Sequence, residues 1–491
     1  MNANATLLSN EKILELFNLE HHQVQKIDIK GQSDALNVYI TLQVEEQTCP
    51  ICESKTSTIK DYSEKKLLHS LVTHIPCYIR YRARRYKCTT CNKCFFEHNP
   101  FAYRNMKITQ LTVYNVLNDL KSPHETFTTV ANRYRLSPTT VSSIFDSHVS
   151  VSRQKLPAYL LIDECYAYHS DRSDYVCVLI DAMTKNIVDI LPSRKKQDLV
   201  AYFSQIPLEE RKGVLGIGID MWYSYRVVAK QFLPNAFISV DRFHVYSDLM
   251  KRIDSIRVDT MKKLKPPKNW KQTEDKVKRQ EYYKRDQQYY LLKKFNWLLY
   301  KNPKATTTVK DKKYNIFDPN VPKQRNKKLG KFLNLYDIID LILQTSNGLE
   351  DAYNMKFLLD QFFNESKAEN AHENLNTLIR VMAQSRVASI VDFSRTLGKW
   401  KNEIVATFNK VEKCTKVTNK KTGETHYEVS ITHINSALIE NRNRIIKQIK
   451  NNASGYRNWE RFRNRVLYVL NEDATYRINP IIKTTYDKGL S

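Results

Sequence analysis

Tyr159-Leu160-Leu161-Ile162-Asp163 and Val214-Leu215-Gly216-Ile217-Gly218-Ile219-Asp220 are the two stretches on which the reading of this chain turns. Each is a short apolar run that ends on an aspartate. Apolar runs of this length read as buried strands. Tyr175 to Ile180 and Ile187 to Leu191 flank the polar stretch Asp181-Ala182-Met183-Thr184-Lys185-Asn186 and read as a hairpin. Asp198 to Ile206 and Ser224 to Phe232 read as helices, and Ala236 to Val240 as a further strand ending at Asp241. Three antiparallel strands followed by alternating helix and strand is the order of an RNase H-like sheet.

Asp163 and Asp220 sit where such strands stop. A third carboxylate, Glu440, falls on a basic amphipathic pattern from Thr432 to Asn451. The apolar stripe there is Leu438, Ile445 and Ile449, and Glu440 lies roughly 200° from Leu438 at about 100° per residue. Arg444 and Lys447 share its side of the helix. A carboxylate flanked by cations suits a metal beside a phosphate, and a surface salt bridge fits the same spacing. Three carboxylates on fold-defining elements meet the needs of a two-metal phosphodiester-cleaving site. Glu164 is the rival of its neighbour, but adjacent strand residues point to opposite faces, so only one should enter the site.

The bulk composition agrees. Lys and Arg number 78 against 52 Asp and Glu, a net charge of +26. That excess, with a pI near 9.5, points to a polyanionic partner, nucleic acid first. Hydrophobic residues make up 42% of the 491, as in a globular chain with room for several domains. No apolar run is long enough to span a membrane, and no signal peptide is evident, so a cytoplasmic protein is expected.

Two cysteine pairs mark the N-terminal part. Cys49-Pro50-Ile51-Cys52 and Cys88-Thr89-Thr90-Cys91 are separated by 35 residues. Two such knuckles close a four-thiolate zinc site that is structural, since no position stays open for water. Cys77 and Cys94 are nearby alternatives. Glu11 to Leu19 reads as a short helix, Ala35 to Val44 as a strand, and Leu71 to Tyr86 as strands. Thr109 to Leu120, Thr128 to Tyr134 and a helix opened by Ser137-Pro138 then read as a helix-turn-helix. Thr139, Thr140 and Ser143, at the start of its last helix, suit a major-groove reader of double-stranded DNA.

Between Lys251 and Asn315 the chain holds 20 Lys and Arg against 7 Asp and Glu, half of the whole excess charge. This segment reads as helical, with loops around Lys265-Pro266-Pro267 and Asn302 to Asn326, and a second helical stretch runs from Leu333 to Lys410. Its aromatics, Trp270, Tyr282, Tyr283, Tyr289, Tyr290, Phe295 and Trp297, read as core, and its lysines as phosphate contacts. A helical block of this length inside an α/β domain is an insertion.

With these residues in hand the chain resembles the ISL-three family of bacterial insertion-sequence transposases. The carriers, in order, are the two cysteine knuckles with Arg84-Arg85-Tyr86-Lys87 and Phe96-Glu97, and the helix-turn-helix. Asp163-Glu164, Asp220-Met221-Trp222 with Ser224-Tyr225, and Val240-Asp241-Arg242-Phe243-His244-Val245 follow. Ser436 to Asn443, Gly455-Tyr456-Arg457-Asn458 and Phe462-Arg463 complete the set, with Asn441 where relatives often have Gly.

The resemblance implies a DDE transposase. Asp163, Asp220 and Glu440 would hold two Mg²⁺ (or Mn²⁺) ions about 3.5–4 Å apart. Asp241 and His244 would support the site. Partners would be the element's terminal inverted repeats and target DNA, with a homodimer or higher assembly pairing two ends, nucleoid-associated when bound. The expected architecture is a multidomain α/β chain. Its parts are a zinc-binding domain (1–100), a helix-turn-helix (101–152), an RNase H-like catalytic core (153–250 and 429–491) and a large basic helical insertion (251–428). A non-catalytic DNA-binding protein and a structure-specific nuclease on the same fold are the competing readings.

Overall fold

In the computed structural model the described residues are 23–32, 34–72, 75–103, 106–169, 173–302, 304–309, 311–418, 425–434 and 437–481. The helical pattern at Glu11 to Leu19, the stretch Met1 to Asn10, Ser436 and the side chain of Leu438 lie outside them. The chain divides into two units. One is Met1–Arg153 with Cys165–Tyr175 and Arg442–Ser491; the other is Gln154–Glu164 with Val176–Asn441.

In the first unit, strands β1 (Val24–Gln32), β2 (Ala35–Leu42), β3 (Ile59–Val72), β4 (Ile75–Lys87) and β5 (Cys94–Phe96) form one sheet in the order β1-β2-β4-β3, with β5 on β4. Strand periodicity divides β4 between two faces. Cys77, Ile79, Tyr81 and Ala83 are buried with Val38, Ile40 and Leu67, while Tyr78, Arg80 and Arg82 face the other way. Arg84 is buried and paired with Glu97 at 3.1 Å, and its Nη2 donates to the Leu42 carbonyl at 2.6 Å. Burying this cation is tolerable because its charge and both terminal nitrogens are met.

Helices α1 (Gln110–Asp119), α2 (Phe127–Tyr134) and α3 (Pro138–His148) follow. Each begins on a hydroxyl cap. Thr109 accepts from the Thr112 amide, Thr126 and Thr129 form a reciprocal capping box, and Ser137 accepts from the Thr140 amide with Pro138 next to it. Arg135, left-handed at φ 53°, ends α2 and turns the chain into α3. Val113, Val116, Leu117, Val130, Val141, Ile144 and Phe145 form the bundle core.

The second unit is built on β6 (Tyr159–Tyr166), β7 (Tyr175–Asp181), β8 (Ile187–Leu191), β9 (Gly216–Ile219) and β10 (Phe237–Val240), in the order β8-β7-β6-β9-β10. β8 and β7 pair antiparallel, while β9 runs parallel to both β6 and β10. Helices α4 (Lys196–Ser204) and α5 (Tyr223–Phe232) cover one face through Leu199, Phe203, Tyr225 and Val228. On β9, a Cβ at Gly218 would come within 2.6 Å of Leu161 Cδ2 and 2.8 Å of Ile434 Cγ2, so only glycine lets Ile434 lie this close to the strand.

Helix α6 (Arg242–Leu264) leaves the sheet at β10 and continues into the basic segment, joined by α7 (Lys276–Lys294), α8 (Leu335–Leu343), α9 (Asn347–Glu365), α10 (Ala371–Ala383) and α11 (Ala388–Lys399). Their apolar faces and the sheet share one continuous core, from Leu160 to Phe408. Tyr290 and Phe295 pack against it, in keeping with the core reading of these aromatics. The stretch read as loop at Asn302 to Asn326 contains a hairpin, Thr306–Val309 with Lys312–Asn315, and the first strand of another, Gln324–Asn326 with Lys331–Leu333.

A further hairpin, β11 (Val411–Thr418) with β12 (Thr425–Thr432), precedes helix α12 (Ala437–Asn452). Thr432 therefore ends a strand and does not begin the helix. The buried stripe of α12 is also shifted from the one read in the sequence. Ile439, Asn443, Ile446 and Ile449 are buried, whereas Ile445 is only half-buried. The polar Asn443 disguised this stripe. Glu440, next to Ile439, flanks it.

Helix α13 (Trp459–Leu470) belongs to the first unit and packs on the three-helix bundle. Its fully buried Arg465 donates to the Ser122 and Glu125 carbonyls at 2.9 and 2.7 Å. Among the described residues no helix is long and apolar enough to cross a membrane.

Candidate functional site

The β6–β9 register pairs Leu161 with Gly218, so Asp163 and Asp220 stand level, just past the last paired position. Their carboxylates, with that of Glu164, form one group whose oxygens all lie within 4.8 Å of one another. The alternation of a strand would have sent Glu164 to the other face. β6 runs on to Tyr166, yet the longer side chain of Glu164 still reaches the group. Glu164 is held by an ion pair to Arg194, whose guanidinium stacks on the Trp222 ring at 4.4 Å. The Trp222 amide donates to Asp220 Oδ1 at 2.9 Å.

The group carries more negative charge than its surroundings tolerate. Burial pushes the Asp163 carboxyl up to about 6. Burial, with the charge of Glu164 added, pushes Asp220 up to about 8. Three convergent carboxylates strained in this way fit a hard divalent cation, which takes oxygen ligands and removes the repulsion.

The same cavity is lined by Asp241, His244, Ser239, Ile434 and Ile439. Asp241 caps α6, accepting from the Phe243 amide at 3.0 Å, and its other oxygen lies 3.8 Å from His244 Nε2. Both expected supporting residues thus face Asp163. Glu440 is placed differently. It is exposed on the first turn of α12, one residue from the cavity-lining Ile439, and it is not a member of the carboxylate group. Arg444 and Lys447 are exposed further along α12. Thr139 and Ser143 are exposed and Thr140 half-buried at the start of α3. The role of Arg194 was missed in the sequence, where nothing links a lone arginine to Glu164, thirty residues earlier on β6.

Cys49, Cys52, Cys88 and Cys91 converge, their sulfurs within 4.8 Å of one another. Cys49 and Cys91 are 3.7 Å apart and Cys52 and Cys88 3.5 Å. A zinc ion with four sulfurs at about 2.3 Å sets tetrahedral edges of about 3.8 Å, so the cluster fits zinc with little movement. The two knuckles repeat one backbone design. Cys49 N donates to Ser54 O and Glu53 N to Cys49 O; Cys88 N donates to Lys93 O and Asn92 N to Cys88 O. Glu53 and Asn92 are left-handed at φ 60° and 57°. Hydrogen bonds from the Ser54 side chain and backbone hold the Cys52 thiol down at about 6, toward the thiolate that zinc binds. Cys77 is buried in the sheet core and Cys94 is exposed, and neither joins the cluster.

Comparison with known proteins places these features. Residues 160–419 and 410–466 match the ISL3 family model described as a transposase. Residues 45–91 match one described as the zinc-finger of transposase IS204/IS1001/IS1096/IS1165. The chain is 22% identical over 438 residues to the transposase for insertion sequence element IS1001 of Bordetella parapertussis, covering 87% of this chain and 89% of that protein. The matched regions contain the four cysteines and all three expected carboxylates.

Proposed function

The chain belongs to the ISL3 family of transposases, with a zinc ribbon ahead of a DDE transposase domain, and on that premise we propose how it works. It binds the terminal inverted repeats of its own insertion sequence, cleaves DNA strands at the element ends with divalent metal, and transfers them to target DNA. The observation that carries this reading is the strained group of Asp163, Glu164 and Asp220, within β6 and just past the end of β9. The strand order β8-β7-β6-β9-β10 supports an RNase H-like core. The capped helices α2 and α3, joined through Arg135, support a helix-turn-helix.

Asp163, Asp220 and Glu440 would hold two Mg²⁺ or Mn²⁺ ions, with Glu164 as a further donor beside them. The bound metal supplies polarisation of the scissile phosphate and activation of the attacking hydroxyl. The chain does the positioning. Trp222 N orients the Asp220 carboxylate, and the Arg194–Trp222 stack fixes Glu164. Asp241 holds the start of α6, placing His244 to orient a flanking phosphate or base. Ile434 and Ile439 shield the inner side of the cavity from water. Glu440, on the first turn of α12 and one residue from the cavity-lining Ile439, would be the third carboxylate donor.

Thr139, Thr140 and Ser143 read bases in the major groove. Arg444, Lys447 and the lysines of the basic segment grip phosphates, so affinity falls steeply with salt. Zinc on Cys49, Cys52, Cys88 and Cys91 is structural. Pairing two element ends takes at least a homodimer, acting in the cytoplasm on the nucleoid. In a gel-shift and nicking assay on an inverted-repeat duplex, Asp163→Ala should bind like wild type and cut nothing. Cleavage that survives Asp163→Ala contradicts the assignment.

A further inference from the structure

The outward face of the N-terminal sheet is not used by anything described so far. On it β2, β4 and β3 set aromatic and cationic side chains side by side. Arg82 lies over the Tyr62 ring at 4.0 Å and Lys66 over Tyr78 at 3.9 Å. Lys30 and Arg80 approach Tyr39 at 5.3 and 6.0 Å. Tyr39 and Tyr62 are large exposed aromatics at 38% and 46% exposure, although a sheet this well covered on its inner face has no structural need for them. Between them lies a cleft of about 380 Å³ floored by Arg80 and Glu64, within the size range of small-ligand sites. Arg80 is fixed there by Asn37 Oδ1 at 2.8 Å and Glu64 Oε1 at 2.7 Å.

The geometry points to this face as a binding site for single-stranded DNA, with unpaired bases stacked on Tyr39 and Tyr62 and the backbone held by Arg82 and Lys66. Charge complementarity selects a polyanion, since the cations of this face outnumber Asp28 and Glu64. Two exposed rings select unpaired bases over a duplex, because a duplex offers phosphates and groove edges while its base faces stay stacked. Arg82, planar and already stacked on Tyr62, leaves its outer face for a base and its N–H edge for a phosphate. Glu64 offers acceptor oxygens to the exocyclic amines of an unpaired base. The inference rests on the reading of this chain as a DNA strand transferase, whose reaction exposes unpaired strand ends, and it gives those ends a place distinct from both α3 and the carboxylate group.

The test measures fluorescence anisotropy of the full-length, zinc-loaded protein without Mg²⁺. The probes are a labelled oligothymidylate of about 15 nucleotides and an inverted-repeat duplex. Tyr39→Ala with Tyr62→Ala should weaken oligothymidylate binding by about 10- to 100-fold, the scale of losing stacking on two rings. Duplex binding should stay within about twofold, and Tyr39→Phe with Tyr62→Phe should bind both probes like wild type. Arg82→Glu, at an exposed position, should also lose the oligothymidylate. Oligothymidylate binding that survives both the double alanine variant and Arg82→Glu overturns the inference, as does an equal loss of both probes. Wild type that binds the duplex but not the oligothymidylate overturns it alone, and wild type that binds neither overturns the DNA-handling reading with it.

Discussion

Replacing Asp220 with Asn should make the metal-free protein more stable while destroying its activity. Asp220 is only 9% exposed, and burial with the charge of Glu164 pushes its carboxyl from 3.8 to about 8. The unfolded chain releases this proton near pH 4, and the folded chain keeps it until about pH 8. Between those values the folded state binds more protons, so stability falls as pH rises. The slope is about 1.4 kcal/mol per pH unit, so from pH 5 to pH 7.5 wild type loses at most about 3.5 kcal/mol. Part of that is shared with Asp163, itself raised to about 6 in the same group. Asn keeps the shape and the acceptor for Trp222 N, 2.9 Å away, but carries no titrating proton. The gap between variant and wild type should widen by about 2–3 kcal/mol between pH 5 and pH 7.5, on the order of 3–5 °C in Tm for a unit of this size. Thermal melts of zinc-loaded protein in Mg²⁺-free buffer at both pH values read this directly. Added Mg²⁺ should raise the Tm of wild type more than that of the variant, and more at pH 7.5. A variant no more stable than wild type at pH 7.5, or a gap that does not change with pH, refutes the reasoning.

Cys88→Ser should lose bound zinc and lower the Tm of the ribbon, whereas Cys94→Ser should keep zinc; metal analysis after gel filtration distinguishes them. Glu97→Ala leaves the buried Arg84 guanidinium, 4% exposed, without its carboxylate, and should cost about 3–5 kcal/mol; a loss under about 1 kcal/mol in urea unfolding of the N-terminal unit contradicts the pairing. Gly218→Ala puts a methyl 2.6 Å from Leu161 Cδ2 and 2.8 Å from Ile434 Cγ2. It should destabilise by about 1–3 kcal/mol and slow cleavage by displacing Ile434, which lines the carboxylate cavity. Unchanged cleavage would show that Ile434 does not set the position of the metal site.

Local chemistry made much of this chain legible. The matched cysteine spacings read as two knuckles, and Ser137-Pro138 and Thr109 marked helix starts that the Ser137 and Thr109 side chains in fact cap. Asp163 and Asp220 ended apolar runs too short for helices, and the β6–β9 register brings them level. Glu164 departed from the alternation rule although β6 runs on to Tyr166: its longer side chain, paired with Arg194, still reaches the group. The hairpin of β11 and β12 was missed although Tyr427, Val429 and Ile431 alternate with Glu428, Ser430 and Thr432 as a strand does, because the helical pattern was extended back to Thr432. The start of α12 shifted with it. Its stripe was misplaced because the buried Asn443 is polar, and periodicity counts only apolar residues. The aromatic face of the first sheet needed the pairing of β2 with β4, which lie far apart in sequence.

Incubation of the purified protein with Mg²⁺ and a labelled duplex carrying the element's inverted repeat, beside Asp220→Asn, bears most directly on the carboxylate group as the cutting centre. Nicking at the element boundary by wild type, absent with Asp220→Asn and absent without divalent metal, is the expected result. Cleavage by Asp220→Asn at the wild-type rate would contradict it.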